Sequence, residues 1–256
     1  MSKHSKKHET AFGIDIGGSG IKGAPVDLHD GEFADDRLRI PTPQPATPDA
    51  VAKTVAEIVD SFDLGKHVPI GVTFPAVMLH GVAQSAANVD ESWIGTDAEK
   101  LFSKATDRTV VAVNDADAAG YAEVLYGAAK DVKGVVLVVT LGTGIGSALV
   151  VDGRLVPNTE LGHLEIDGHD AESRAAESAR DRDGLDWEQW AQRLQRYFSV
   201  VENLFWPDLI VVGGGVSKHD EDFLPLLDLR TKIVPAKLRN AAGIVGAAAL
   251  AAEADD

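Results

Sequence analysis

Asn114-Asp115-Ala-Asp117 follows a β-branched run and opens an alanine-rich segment. A carboxylate at such a strand-to-helix junction is placed to take a proton from an alcohol as a phosphoryl group moves onto that oxygen. Asp115 is the candidate base, and Asn114 is suited to bond a neighbouring hydroxyl. The same position also suits Asp115 or Asp117 to capping the helix, and the residues alone leave both readings open. Glu160-Leu-Gly-His163 sets an acceptor and an imidazole within one turn, a pairing that fits adjacent hydroxyls of a sugar. A structural histidine is the ordinary alternative there.

Three glycine turns follow strands: Gly17-Gly18-Ser19-Gly20, Gly142-Thr143-Gly144 and Gly213-Gly214-Gly215. Without Cβ atoms, such turns let backbone N–H groups approach phosphate oxygens, although each one alone also serves as an ordinary hairpin turn. Asp15 precedes the first turn and is suited to orient hydrated Mg²⁺, which keeps several of its waters. Lys22, on the returning strand, joins the candidate phosphate contacts, as does Lys218 after the third turn. No turn carries the Walker pattern, so a P-loop is excluded, and Gly213 lacks the dinucleotide spacing.

The elements that must hold these residues alternate between strands and helices, which indicates α/β architecture. Residues 12–26 read as a strand hairpin, and 135–151 repeat that pattern. Laid over each other, Asp15-Ile-Gly-Gly matches Thr140-Leu-Gly-Thr, and both hairpins end in aspartate, Asp27 and Asp152. The match reads as a trace of internal duplication. Helical spacing marks 49–62, with Thr47 or Asp49 as cap, and also 116–126. A long helix interrupted near Gly184 covers 172–205, and an alanine-rich helix covers 243–254. Strands are expected at 68–74, 109–113 and from Leu209 into the third turn.

The net charge of −16 argues against a general nucleic-acid binder, which needs a broad cationic face. No apolar run is long enough to span a bilayer, and the basic start lacks a secretory core, so a cytoplasmic, non-membrane protein is expected. Cysteine is absent, which rules out disulfides and thiolate zinc sites.

At these residues the chain resembles the ROK family (repressor, open reading frame, kinase). Ile14-Asp-Ile-Gly-Gly-Ser19 and Leu141-Gly-Thr-Gly-Ile-Gly146 resemble its two phosphate motifs. Val113-Asn-Asp-Ala-Asp-Ala-Ala119 is similar to its sugar and base motif, and Glu160-Leu-Gly-His163 to its sugar-clamping turn. The resemblance continues through Val212-Gly-Gly-Gly-Val216 and Ala242-Gly-Ile-Val-Gly-Ala-Ala248. Within the family it points to the actinobacterial polyphosphate glucokinases, on stretches such as Ala87-Asn-Val-Asp-Glu-Ser-Trp-Ile-Gly95 and Ile233-Val-Pro-Ala-Lys-Leu-Arg-Asn240.

That resemblance implies an actin-like, ribonuclease H-like duplicated fold of two lobes with a cleft between them. The corresponding domains are a disordered basic tail (1–10), a small domain (11–112 plus helix 242–254) and a large domain (113–241). It also implies Mg²⁺ dependence, glucose or mannose as acceptor, and a homodimer. Asp115 becomes the base, while Asn88, Asn114, Glu160, His163 and Glu172 become sugar contacts. Asp15, Gly17, Gly18, Ser19, Lys22, Gly142, Thr143, Gly144, Gly214, Gly215 and Lys218 surround the phosphate. Many family members carry a cysteine-rich zinc motif after the His of the clamping turn; this chain has none, so no zinc site is expected. Ten residues before Ala11 leave no room for the repressors' helix-turn-helix.

The donor is expected to be inorganic polyphosphate and, in addition, ATP. Lys218, Arg230, Lys232, Lys237 and Arg239 cluster late in an acidic chain and suit a polyanion, or else form a solvated face. The competing readings are an ATP-only glucokinase or amino-sugar kinase of the same family, and a non-catalytic sugar sensor.

Overall fold

Short β-branched runs broken by glycines dominate both halves of the chain, and in each half they assemble the same kind of sheet. The computed structural model describes residues 8–86 and 89–255. They form two units: one reaches Ala122 and regains the chain from Ala241, and the other is Glu123–Asn240. The first contains β1 (Thr10–Gly17), β2 (Gly20–Asp27), β3 (Glu32–Phe33), β4 (Leu38–Ile40), α1 (Pro48–Asp60) and β5 (Ile70–Phe74). There follow β6 (Met78–Leu79), β7 (Val82–Ala83), α2 (Ala98–Thr106), β8 (Val110–Asn114) and α3 (Asp115–Leu125), within which the unit ends. Its sheet runs β3-β2-β1-β5-β8, with β4 also on β2. The β1–β2 pair is antiparallel and β1, β5 and β8 are parallel.

The second unit contains β9 (Val135–Leu141), β10 (Ile145–Val151), β11 (Arg154–Val156), β12 (Glu165–Ile166), β13 (His169–Asp170), α4 (Glu172–Ala175) and α5 (Glu177–Arg182). It continues with α6 (Trp187–Phe205), β14 (Leu209–Gly213), α7 (Asp220–Phe223) and β15 (Ile233–Pro235), before α8 (Ala242–Asp255) returns to the first unit. The order β11-β10-β9-β14-β15 repeats that of the first sheet. The senses repeat as well: β10 is antiparallel to β9, and β9, β14 and β15 are parallel. The two similar hairpins thus belong to two similar sheets.

Buried aromatic residues fill the first core. Phe74 packs on Trp93 with ring centroids 4.3 Å apart, and Trp93 in turn meets Phe102 at 5.8 Å. Trp93 is fully buried despite lying outside any strand or α-helix, and its indole N–H donates to Ala46 O at 2.9 Å. α1 buries Val51, Val55, Ile58 and Val59 at helical spacing. α8 is apolar nearly all round and lies on β1 and β5 at backbone contact distance. A Cβ on Gly13 would meet Ile244 O at 1.9 Å, one on Gly71 would meet Ala247 O at 1.9 Å, and one on Gly246 would meet Ala118 O at 1.8 Å. Glycine is obligatory at these points because any side chain would force α8 away from the sheet or from α3.

A buried carboxylate organises the second unit. Glu123 is 1% exposed and accepts from the N–H groups of Ala128, Lys237 and Leu238 at 2.7, 3.1 and 2.7 Å. These charge-assisted bonds tie the loop after α3 to the loop after β15.

Several expectations need correction. Thr10 pairs with Asp27 in β1 and His8 bonds to Asp255, so the tail does not extend to residue 10; residues 1–7 lie outside the described residues. The first unit ends after Ala122 rather than at 112, because the first two turns of α3 belong with β8 and α8. The interval 172–205 is three helices, breaking at Ala176, which is extended, as well as near Gly184. Thr47 is the N-cap of α1 but its side chain makes no capping bond, and Asp49 lies inside the first turn. The short helix α2, capped by Asp97, escaped the periodicity reading because its nine residues give only about two and a half turns of pattern.

Candidate functional site

In the first unit, Asp15, Thr73 and Val113 stand in one row across three parallel strands. Gly17 and Asp115 each lie two residues beyond that row, so both emerge at the carboxyl edge of the sheet, two strand spacings or about 10 Å apart. Ligands of open α/β sheets bind at this edge.

The turn itself is a tight one, with Gly17 paired to Gly20 and Gly18-Ser19 at its tip. Neither Gly17 nor Gly18 has positive φ, and a Cβ on Gly18 would meet nothing within 4 Å. The fold's own packing therefore gives no reason for glycine at 18, whereas close approach of a ligand to its N–H does. Arg39 braces the turn by donating from Nη2 to Ser19 O at 2.8 Å, and Thr42 donates its hydroxyl to Gly17 O. The sequence reading missed Arg39, and nothing local signals it, because its place opposite Lys22 is set by the β2–β4 register. Asp15 accepts from Lys22 Nζ at 3.1 Å and from Thr73 Oγ1 at 3.0 Å. Each carboxylate oxygen keeps a lone pair, so this donor set fits Mg²⁺ held through water, with Lys22 left in place.

The cap of α3 is Asn114. Its Oδ1 accepts from the N–H groups of Ala116 and Asp117 at 2.9 and 3.0 Å, and its Nδ2 donates to Ala76 O at 3.0 Å. Asn114 is accordingly buried, at 7% exposure, while Asp115 beside it is exposed and accepts from Ala116 N at 2.9 Å. The capping that the sequence offered to Asp115 or Asp117 thus falls to their neighbour. Asn88 lies outside the described residues.

In the second unit, Gly142-Thr143-Gly144 closes the β9–β10 hairpin. Gly142 resembles Gly18, with open space where its Cβ would be, but Gly144 is packed, since a Cβ there would lie 2.4 Å from Glu172 Oε2. That same oxygen accepts from Ile145 N at 3.0 Å, so Glu172 buttresses the turn. Ser178 reinforces it, donating its N–H to Gly142 O at 3.1 Å and its hydroxyl to Thr143 O at 2.6 Å. The parallel register Gly213↔Thr140 brings the third turn to the same carboxyl edge. Gly214 has φ +87° and would clash with Leu141 O at 2.1 Å, so its glycine is structural. Lys218 follows on a short 3-10 turn, exposed and without an ion pair among the described residues. Arg230, by contrast, pairs with Glu202 at 3.6 Å and stacks 4.0 Å over Trp206.

Glu160, His163 and Glu172 come together. Partial burial holds the Glu160 carboxyl above its usual range, His163 opposes that rise and Glu172 adds to it. His163 Nδ1 bonds Asp170 Oδ2 at 2.8 Å, and this bond is the main reason the imidazole is raised above its usual value. With Nδ1 engaged, Nε2 is the ring nitrogen left for a ligand. His163, Asp170 and Glu172 offer ligand atoms within 4.8 Å of one another, a grouping the sequence reading did not foresee.

The sequence model of the ROK family matches residues 11–179. The chain is 52% identical to the polyphosphate glucokinase of Mycobacterium tuberculosis, over 93% of this chain and 89% of that protein. An inorganic polyphosphate/ATP-glucomannokinase from Arthrobacter sp. strain KM superposes with a TM-score of 0.90 at 57% identity, covering 96% of this chain and 100% of that one. A ROK family glucokinase from Streptomyces griseus, in complex with glucose and AMPPNP, superposes with a TM-score of 0.77 over 95% and 99% of the two chains. At 23% identity it speaks to the fold alone, the actin-like fold of the ROK sugar kinases. Among the described residues no helix is long and apolar enough to cross a membrane.

Proposed function

Because the chain belongs to the ROK family, we propose that it phosphorylates glucose at the 6-hydroxyl, with inorganic polyphosphate as phosphoryl donor. One observation carries the mechanism: the parallel register sets Asp115 and the open turn Gly17–Ser19 at one edge of one sheet.

Asp115 takes the proton of the 6-hydroxyl as the bond from that oxygen to phosphorus forms, and the shortened polyphosphate leaves with the electron pair of the broken P–O bond. The N–H groups at Gly17, Gly18 and Ser19, and those at Thr143 and Gly144, donate to phosphate oxygens, with Lys22 adding positive charge. Gly142, whose own N–H is taken by Gly144 O at 3.0 Å, leaves room for the phosphate to approach. Gly214, Gly215 and Lys218 extend the contacts along the donor. Mg²⁺, held by Asp15 through water, would supply charge neutralisation on the phosphate oxygens. Asn114 fixes the backbone around Asp115 and offers its remaining amide hydrogen to the sugar. Glu160 and Glu172 accept sugar hydroxyls, as does Nε2 of His163, held in place by Asp170; Asn88 is a further sugar contact. ATP serves as an alternative donor and mannose as an alternative acceptor, and the working assembly is a homodimer.

The test is a coupled assay for glucose 6-phosphate with long-chain polyphosphate, glucose and Mg²⁺, freed of nucleotide. Turnover supports the proposal. Product formation only after ATP is added would replace it with an ATP-dependent glucokinase.

A further inference from the structure

A cavity of about 400 Å³ opens in the second unit between the β12–β13 hairpin, α4 and the first half of α6. None of the residues assigned above to sugar or donor lines it. Its size is that of small-molecule sites, which run from about 300 to 1,000 Å³. Its charge reverses that of the chain: Arg174, Arg193 and Arg196 face a single lining carboxylate, Asp167, in a protein of net charge −16.

The three guanidiniums are not equivalent. Arg196 is held by Asp167 in a two-bond fork at 2.7 and 2.8 Å. Arg193 is held by Asp183 at 2.7 Å and by Arg174 O at 3.1 Å. The Arg174 side chain is exposed and has no ion pair or hydrogen bond among the described residues. The wall is thus a fixed guanidinium pair beside one uncommitted guanidinium. Gln192, also on the wall, is exposed and has no side-chain partner among the described residues. Ile166, Leu185 and Ala175 supply apolar surface beside these polar groups.

A second observation is independent of the charges. Tyr197 belongs to the cavity wall and is 1% exposed, yet its hydroxyl has no hydrogen-bond partner among the described residues. A buried unpaired hydroxyl is costly, and a ligand with polar atoms at this wall is one way of satisfying it.

We propose that this cavity binds a small hydroxyl-rich phosphate monoester, of the sugar-phosphate class. The uncommitted guanidinium of Arg174 matches a phosphate's oxygens, and a monoester carries roughly −1.5 to −2 charge at neutral pH. With Asp183 set against Arg193, the surplus on the wall is the single charge of Arg174, too little to favour a long polyanion. The amide of Gln192 takes a sugar hydroxyl, and Ile166 and Leu185 cover the ring's apolar face.

The experiment is calorimetric titration of the full chain with glucose 6-phosphate, with inorganic phosphate and glucose as controls. The choice of this probe rests on the phosphotransfer reading above; the cavity itself does not. A glucose 6-phosphate isotherm with a class of site that Arg174→Ala weakens roughly 10-fold or more, and Tyr197→Phe several-fold, is expected. Turnover with saturating glucose and polyphosphate should be unchanged in Arg174→Ala, since this residue is outside the catalytic set. Equal binding of inorganic phosphate at that class would overturn the proposal, as would an isotherm that Arg174→Ala leaves unaltered. Sedimentation of both proteins gives the last arm: a change of oligomeric state in Arg174→Ala would make the cavity an interface between copies and overturn it too. Loss of glucokinase turnover in the wild-type protein would strike the catalytic reading alone, because the titration does not depend on it.

Discussion

Two glycine-to-alanine substitutions in the first unit should separate folding from catalysis. At Gly71 the new methyl would sit 1.9 Å from Ala247 O and 2.4 Å from its carbonyl carbon. Restoring ordinary contact, which begins at 3.4 Å, means parting β5 from α8 by about 1.5 Å. The obstacle is backbone, so no rotamer change relieves it. Overpacking of this kind costs about 1–3 kcal/mol and more where a rigid element must move, so Gly71→Ala should lower stability by at least about 3 kcal/mol.

At Gly18 the methyl meets nothing and φ is not positive. Stability should hold or rise by about 0.4–1 kcal/mol, because alanine restricts the unfolded chain. The methyl would instead stand where donor phosphate approaches the backbone. Losing one N–H bond to a charged oxygen removes about 1.5–3 kcal/mol, which is roughly 10- to 150-fold in kcat/KM for polyphosphate. Urea denaturation and the coupled glucose 6-phosphate assay measure the two effects side by side. A Gly18→Ala protein with wild-type kcat/KM would refute the backbone cradle, and a Gly71→Ala protein of wild-type stability would refute the packing argument.

Asp115→Asn should keep glucose affinity within a few-fold while kcat falls roughly 10²- to 10⁴-fold, and near-normal kcat would remove Asp115 as base. Asp170→Asn should move the His163 imidazole, followed by NMR, down towards 6.5 from its raised value; an unmoved titration contradicts the bond's role. The sign for stability follows: the pairing contributes fully below about pH 6.5 and its contribution is lost as pH rises through the raised value, so wild type and variant should converge at alkaline pH. Glu123→Ala leaves three part-buried N–H groups without their acceptor and should cost about 1–3 kcal/mol in urea melts, whereas an unchanged stability would mean water replaces the carboxylate.

The two glycine hairpins and the strands at 68–74, 109–113 and from Leu209 were legible in the sequence alone, whereas the short strands such as β3, β4, β12 and β15 were not. Glycine hairpins, β-branched runs and the Asn114-Asp115 junction are local signals, set by backbone sterics and side-chain type within a few residues. The repeated hairpin even announced the repeated sheet, since similar local sequence folds into similar local structure.

Tertiary structure decided which of several local roles each residue took. Helix capping went to Asn114 because its side chain turns back on Ala116 and Asp117 while also reaching Ala76, 38 positions earlier. Gly18 and Gly214 look alike in sequence, but only the second is demanded by packing, against a strand more than 70 positions away in the chain. Arg39, Glu123 and Asp170 gain their roles from partners that the register of strands or the closure of loops brings near. Such pairings depend on how the chain turns: Arg39 and Ser19 lie 20 positions apart and Glu123 and Lys237 114, and even Asp170 and His163, seven apart, meet across the β12–β13 hairpin.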